Sequence, residues 1–412
     1  MKTISSYNLI INLILIISLF IGLFYGEDSG GGGSVLDFKT TWILIEKPFE
    51  FESLKSDFKF PLHYYIGALI YFITKDIFLY KLFYVVITCF FPLIFYKTLK
   101  IKFPNIDINN LFLFSLVLLL LPHVRTAAIW PNTQITALFF FLITLYNFVK
   151  LDCSNNFSKI NKNLLFTLFF LALTVYSRQI YALIYLYLVF YFFKKYSLTN
   201  FIKICCIIGI LAIPGILNIL IYPSILSVSF NHNLQNSILI NLSIFSFYLI
   251  PLVTNFFFLK IYNFKFDMKI FILSFISFLI IVIMVQFFNY NIKLGGGFFM
   301  KLSLLFFSNL YLFYFTSFIG IIMIYLFCNK KTDNFVLTLL IILGIASINV
   351  QQKYFEPMLI LLFFLVYENK YIEKLLQNYK AVLFIFFYYF IYFLLAIINI
   401  VFKIKENLML NL

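Results

Sequence analysis

Glu27 and Asp28 stand side by side directly after the apolar run that ends at Tyr25, in the stretch GEDSGGGGSVLDFKTTW, Gly26 to Trp42. A carboxylate with apolar surroundings has its pKa raised toward neutrality, and can take the proton of a hydroxyl that is about to attack. Chemistry of that kind also asks for cations where negative charge leaves. Of 31 basic residues only two are arginines, Arg125 in LPHVRTAAIWPN and Arg178 in VYSRQIY. The wealth of Phe, Ile, Asn, Lys and Tyr makes lysine the default cation, so an arginine marks a place where lysine does not serve. Its planar fork suits bidentate contact with phosphate, and structural pairing with an acid is the alternative. Lys59 in DFKFPLHYY is a third candidate phosphate ligand, as a point charge beside an aromatic wall, with snorkelling anchorage as its simpler role. Lys353 in NVQQKYFEPML is the fourth, with Tyr354 and Glu356 close by and Pro357 opening a helix.

The elements that must position these groups are membrane helices. Mean hydropathy is +1.00 and only 11% of the 412 residues are charged, which excludes a soluble globule. Apolar runs predict an all-α polytopic membrane protein with thirteen candidate spans, near 7–25, 77–97, 109–122, 133–149, 163–176, 179–193, 203–222, 238–259, 270–288, 302–327, 335–348, 357–367 and 381–402. With the N-terminus cytoplasmic, the lysine clusters at 97–102, 150–162, 194–203, 260–269, 330–331 and 370–380 all fall in alternate loops on the cytoplasmic side. Lys403 and Lys405 depart from that alternation. No small-residue cleavage site follows Phe24, so the first helix is expected to stay uncleaved.

The same alternation puts the acids on the other face. The loop between the first two spans holds Glu27, Asp28, Asp37, Glu46, Glu50, Glu52 and Asp57, seven of sixteen in the chain. Residues 61–74, PLHYYIGALIYFIT, read as an interfacial helix with His63 and Tyr64 at headgroup level. Residues 1–412 form one domain in this reading, with 26–76 as its first extracytoplasmic loop and no separate soluble part.

Several other chemistries are excluded or unsupported. No Gly-Lys-Ser/Thr follows the glycines at 30–33, so they are no phosphate loop; they allow a sharp turn and close approach of a ligand, or serve as a spacer. His63, His123 and His232 have no metal-like spacing, and a divalent metal is possible without being indicated. The five cysteines show neither redox nor metal spacing. The net charge of +15 sits in short inter-helix clusters that orient a membrane protein, which argues against nucleic acid.

An acidic pair after the first helix, a long outer loop and basic residues in later outer turns resemble the GT-C superfamily of integral-membrane glycosyltransferases, in its protein O-mannosyltransferase and aminoarabinose transferase branch. Glu27-Asp28 look like that family's Asp-Glu pair in reversed order. KFPLHYY, Lys59 to Tyr65, is similar to its KPPLYYW element, lacking the first proline and carrying His63 where tyrosine is usual. QKYFEP resembles its RY-x-x-P stretch. The resemblance covers the helix layout and is sharp over about residues 20–75. It implies transfer of a sugar, with inversion, from a polyprenyl-phosphate donor to a hydroxyl of a glycan, lipid or protein. The active site would lie on the periplasmic face of a bacterial inner membrane, with no tightly bound cofactor. Asp28 is then the first choice for base and Glu27 the second. Lys59, Arg125, Arg178 and Lys353 would contact the donor phosphate, while Asp37, His63, Tyr64, Trp130, Tyr354 and Glu356 would line the cavity. A transporter or flippase of lipid-linked sugars, and an O-antigen polymerase or ligase, are the rival readings.

Overall fold

The computed structural model describes residues 4–30, 34–48, 59–155, 157–221, 234–259, 268–290, 295–328, 331–346 and 350–410. Every regular element among them is a helix. Seven are long and apolar enough to cross a membrane: Ser6–Tyr25, Ile77–Lys102, Thr133–Ser154, Leu198–Ile221, Leu234–Phe258, Tyr311–Cys328 and Tyr379–Ile398. A bent pair, Ile108–Leu120 with Pro122–Ile129, makes an eighth if counted as one span. These are the helices of a multi-pass membrane protein.

Other apolar runs form shorter helices. Residues 163–176 become Lys162–Ser177, 16 residues, or roughly 24 Å at the helical rise, against a hydrocarbon core of about 30 Å. The run 302–327 is cut at Ser308, whose φ of 53° ends one helix before Tyr311–Cys328 begins. Apolar length therefore overstates helix length, because a local backbone break leaves composition unchanged.

The chain, expected from its sequence to be one domain, gathers into two compact units: Met1–Tyr185 with Phe192–Ser227 and Val382–Leu412, and Leu186–Tyr191 with Val228–Ala381. The first contains, in chain order, α1 (Ser6–Tyr25), α2 (Ser34–Glu46), α3 (Leu62–Thr74), α4 (Ile77–Cys89), α5 (Phe91–Lys102), α6 (Ile108–Ser115), α7 (Pro122–Ile129), α8 (Thr133–Ser154) and α9 (Lys162–Ser177). Ser5 caps α1 by accepting from the Asn8 N–H. Leu15, Leu19 and Leu23, spaced by four, form the buried stripe of α1, while Ile10, Leu13, Ile14, Ile17 and Ile21 face outward. Such an exposed apolar face belongs against lipid. Leu121 has an extended backbone, φ −78° and ψ 117°, as expected for a residue before proline. That break bends the chain by 61° and sends α7 off at an angle.

The second unit is organised on Leu234–Phe258 and Tyr311–Cys328. A Cβ at Gly320 would lie 2.4 Å from the Leu242 carbonyl oxygen, so only glycine lets the two backbones come this close. Ser317 Oγ donates to the Leu239 carbonyl at 2.9 Å, and Ser243 and Thr316 hydroxyls meet at 2.9 Å. Small and hydroxyl residues thus do the joining, as is usual between helices in lipid.

Candidate active site

The acidic pair owes its position to how α1 ends. Gly26 takes φ 65°, a left-handed conformation that suits glycine, and the Glu27 N–H reaches back to the Gly22 carbonyl at 2.8 Å. The Gly26 N–H meets the Leu23 carbonyl at 3.3 Å, completing a Schellman turn. Glu27 is thereby folded back over the last turn of its own helix. Space for its carboxylate exists because residue 22 has no side chain: a Cβ there would sit 2.4 Å from Glu27 Oε2.

Arg125, on the short helix α7, meets that carboxylate with both arms of its fork. Nε donates to Glu27 Oε1 at 2.9 Å and Nη2 to Oε2 at 2.6 Å. The remaining N–H groups go to Ser18 Oγ at 3.0 Å, the Ser18 carbonyl at 3.0 Å and the Leu119 carbonyl at 3.4 Å. Phe393 covers the guanidinium face at 4.5 Å. Arg125 is 1% exposed and the Glu27 side chain 10%. All five guanidinium donors are spent. Arg125, expected at the donor phosphate, therefore has no N–H left for one, and takes instead the alternative role of pairing with an acid.

The rest of the turn is tied to α7 as well. Ser29 Oγ donates to Glu27 Oε1 at 2.7 Å, and the Gly30 N–H donates to Thr126 Oγ1 at 2.8 Å. A Cβ on Gly30 would stand 2.9 Å from His123 Nδ1, so this glycine permits close approach to the protein's own helix. Asp28, next in the chain, takes no part in the Arg125 fork and is half-buried.

Trp130, just after α7, is held by its indole N–H, which donates to the Glu27 carbonyl at 3.1 Å. Phe38 of α2 packs on it at 5.6 Å, and Trp42 packs on Phe38 at 5.7 Å. The two tryptophans of the chain thus belong to one aromatic cluster, which Tyr71 and Tyr80 extend. Lys81, one turn into α4, lays its ammonium 3.5 Å from the Trp130 ring centre and 4.7 Å from that of Phe38. The sequence signal for Lys81 is slight: a lone charge near the start of an apolar run. Asp37 is half-buried in the first turn of α2, beside Phe38.

His63 and Tyr64 lie in the first turn of α3, both fully buried. His63 Nδ1 is 2.8 Å from Thr136 Oγ1, and its Nε2 meets no hydrogen-bond partner among the described residues. Burial, and after it the Lys59 ammonium, push this imidazole from 6.5 down to about 3. The unfolded chain thus binds a proton between those values that the folded protein does not. Stability is expected to be full above pH 6.5 and to fall as pH drops toward 3. Thermal unfolding in detergent between pH 7 and pH 4 should show a shallower decline for His63→Gln; parallel curves would refute the assignment.

Arg178 stands at the break after α9, its N–H bonded to the Thr174 carbonyl at 2.9 Å. Lys353, Tyr354 and Glu356 belong to the second unit. There Glu356 is buried and accepts from the Tyr248 hydroxyl at 3.1 Å. The structure therefore brings together Glu27, Arg125 and Trp130, with Asp28 adjacent in the chain, and sets His63 and Tyr64 in a neighbouring cluster of the same unit. Glu50, Glu52, Asp57, His232 and the glycines 31–33 lie outside the described residues. Among the described residues no three His, Cys, Asp or Glu side chains gather as a metal site would need. Comparison with protein-family models, with curated proteins and with solved structures finds no match to this chain.

Proposed function

We propose that this protein is a membrane glycosyltransferase that moves a sugar from a polyprenyl-phosphate donor to a hydroxyl acceptor, with inversion, beside Glu27 and Asp28. The observation that carries the reading is the division of labour in the acidic pair. Glu27 is fixed by all that Arg125 can offer, while Asp28 stands beside it outside the fork. Glu27, so held, anchors the site, and Asp28 takes the proton as the acceptor oxygen attacks the anomeric carbon and the bond to the phosphate oxygen breaks. Cations near the departing phosphate lower the barrier, because its charge grows as it leaves. Within the first unit, Lys59 and Arg178 are the proposed contacts, with Asp37, His63, Tyr64 and Trp130 as cavity walls.

An apolar cleft of about 380 Å³ between α3, α4 and α8, lined by Ile66, Ile70, Phe83, Ile87, Ile135 and Phe140, suits a prenyl chain. The reading includes thirteen spans, a cytoplasmic N-terminus, and a periplasmic site in a bacterial inner membrane. Acceptors are glycans, lipids or proteins. In liposomes containing the purified protein, radiolabelled polyprenyl-phosphate sugars should be consumed in favour of membrane glycolipid acceptors. If no donor yields transfer while lipid-linked sugar crosses the bilayer, the protein is a transporter.

A further inference from the structure

An ammonium group carries three N–H donors and no acceptor. Among the described residues, the Lys81 ammonium is met by aromatic rings only, Trp130 at 3.5 Å and Phe38 at 4.7 Å, and the side chain is half-buried. Rings attract a cation through their quadrupole, a contribution of order 0.5–2 kcal/mol, but they leave its strong hydrogen-bond donors unanswered. No carboxylate among the described residues forms an ion pair with it. Ionisable groups within apolar helices face a bundle interior or a water-filled cavity, and mark the path of a charged ligand.

Three further observations fix the kind of ligand. Trp130 is rigidly seated, through its N–H on the Glu27 carbonyl and its contact with Phe38, so the cation lies on a prepared platform. The same ring edges the turn that carries the acidic pair: a Cβ on Gly26 would come within 3.2 Å of Trp130 Cζ2. The neighbouring α1 presents Ile17, Ile21 and Phe24 outward, so a ligand with an apolar tail has a surface to follow.

We infer that Lys81, on its platform of Trp130 and Phe38, is a binding site for a phosphate ester next to the Glu27-Asp28 turn. This deepens the proposed function and rests on it in one respect, that the phosphate is the group joined to the sugar. Arg125, whose donors are all committed, holds the acid; Lys81 meets the anion as a point charge. Trp42 and Trp130 are the only tryptophans in the chain, so intrinsic fluorescence reports on this cluster.

The test is a fluorescence titration of the full-length protein in detergent micelles with farnesyl phosphate, farnesol and inorganic phosphate. Lys81→Met should weaken farnesyl phosphate binding by about tenfold or more, the scale of a charge-assisted hydrogen bond, and leave farnesol unaffected. Lys81→Arg should bind within about threefold of the wild type, and its retained binding guards against loss of fold as the cause. Farnesyl phosphate binding far above inorganic phosphate names a lipid-borne phosphate; equal binding names the free anion. Unchanged farnesyl phosphate affinity in Lys81→Met overturns the inference. Transfer of sugar is read separately: binding through Lys81 without any transfer overturns the proposed function and keeps the phosphate site.

Discussion

Arg125→Met is expected to destabilise the protein by about 3–5 kcal/mol, the scale for removing one partner of a buried ion pair. The loss is that large because the Glu27 carboxylate would be left without its partner in a site where only Ser29 Oγ, at 2.7 Å, still donates to it. The guanidinium also joins parts of the chain far apart in sequence, donating to Ser18 in the middle of α1 and to Leu119 before α7. Lysine is a poor replacement, since three donors on a flexible stem cannot reproduce five in a plane. Removing both charges, as in Glu27→Leu with Arg125→Met, should recover much of the loss, because a buried charge without its partner costs more than the absent pair. Thermal unfolding of the two single variants and the double variant forms the cycle. If Arg125→Met unfolds within about 1 kcal/mol of the wild type, as for an exposed pair, the fork is not a structural clamp.

Asp28→Asn is expected to lower sugar transfer by roughly 10²–10⁴-fold, the contribution of a positioned general base, with donor binding unchanged. Glu27→Gln should behave differently. It leaves Arg125, which is 1% exposed, without its counter-charge, so activity and stability should decline together. Measured side by side, turnover and unfolding temperature separate the two carboxylates. A stable Glu27→Gln protein without activity, beside an active Asp28→Asn protein, would reverse the roles.

How far the site could be read before the structure depends on what each residue signals alone. Arg125 was legible because arginine is rare here and lysine abundant; whether it faced a phosphate or an acid was not, since both uses need the same fork. The acidic pair was legible from its place after an apolar run, but the device that aims it was not. Attention falls naturally on the glycines at 30–33, whereas the turn is made by Gly26 with φ 65°, and the room by Gly22. A single glycine at a helix end carries little signal until the chain that packs on it is known. Lys81 was hidden for the opposite reason. One charge in an apolar run resembles a snorkelling anchor, and only the rings of two distant segments, Phe38 and Trp130, distinguish it. The helical class followed from composition, while helix lengths depended on breaks such as Leu121 and Ser308 that hydropathy does not register.

The clamp between Glu27 and Arg125 joins residues 98 positions apart. During synthesis at about 5–20 residues per second, the carboxylate is therefore made roughly 5–20 s before the guanidinium that neutralises it. An ionised side chain left alone stays in water, since entering hydrocarbon unpaired is costly. The end of the first helix is thus held at the membrane surface until the segment carrying Arg125 has left the ribosome. Assembly of this end of the bundle has an order built into it, with the first helix locking only once α7 has been made.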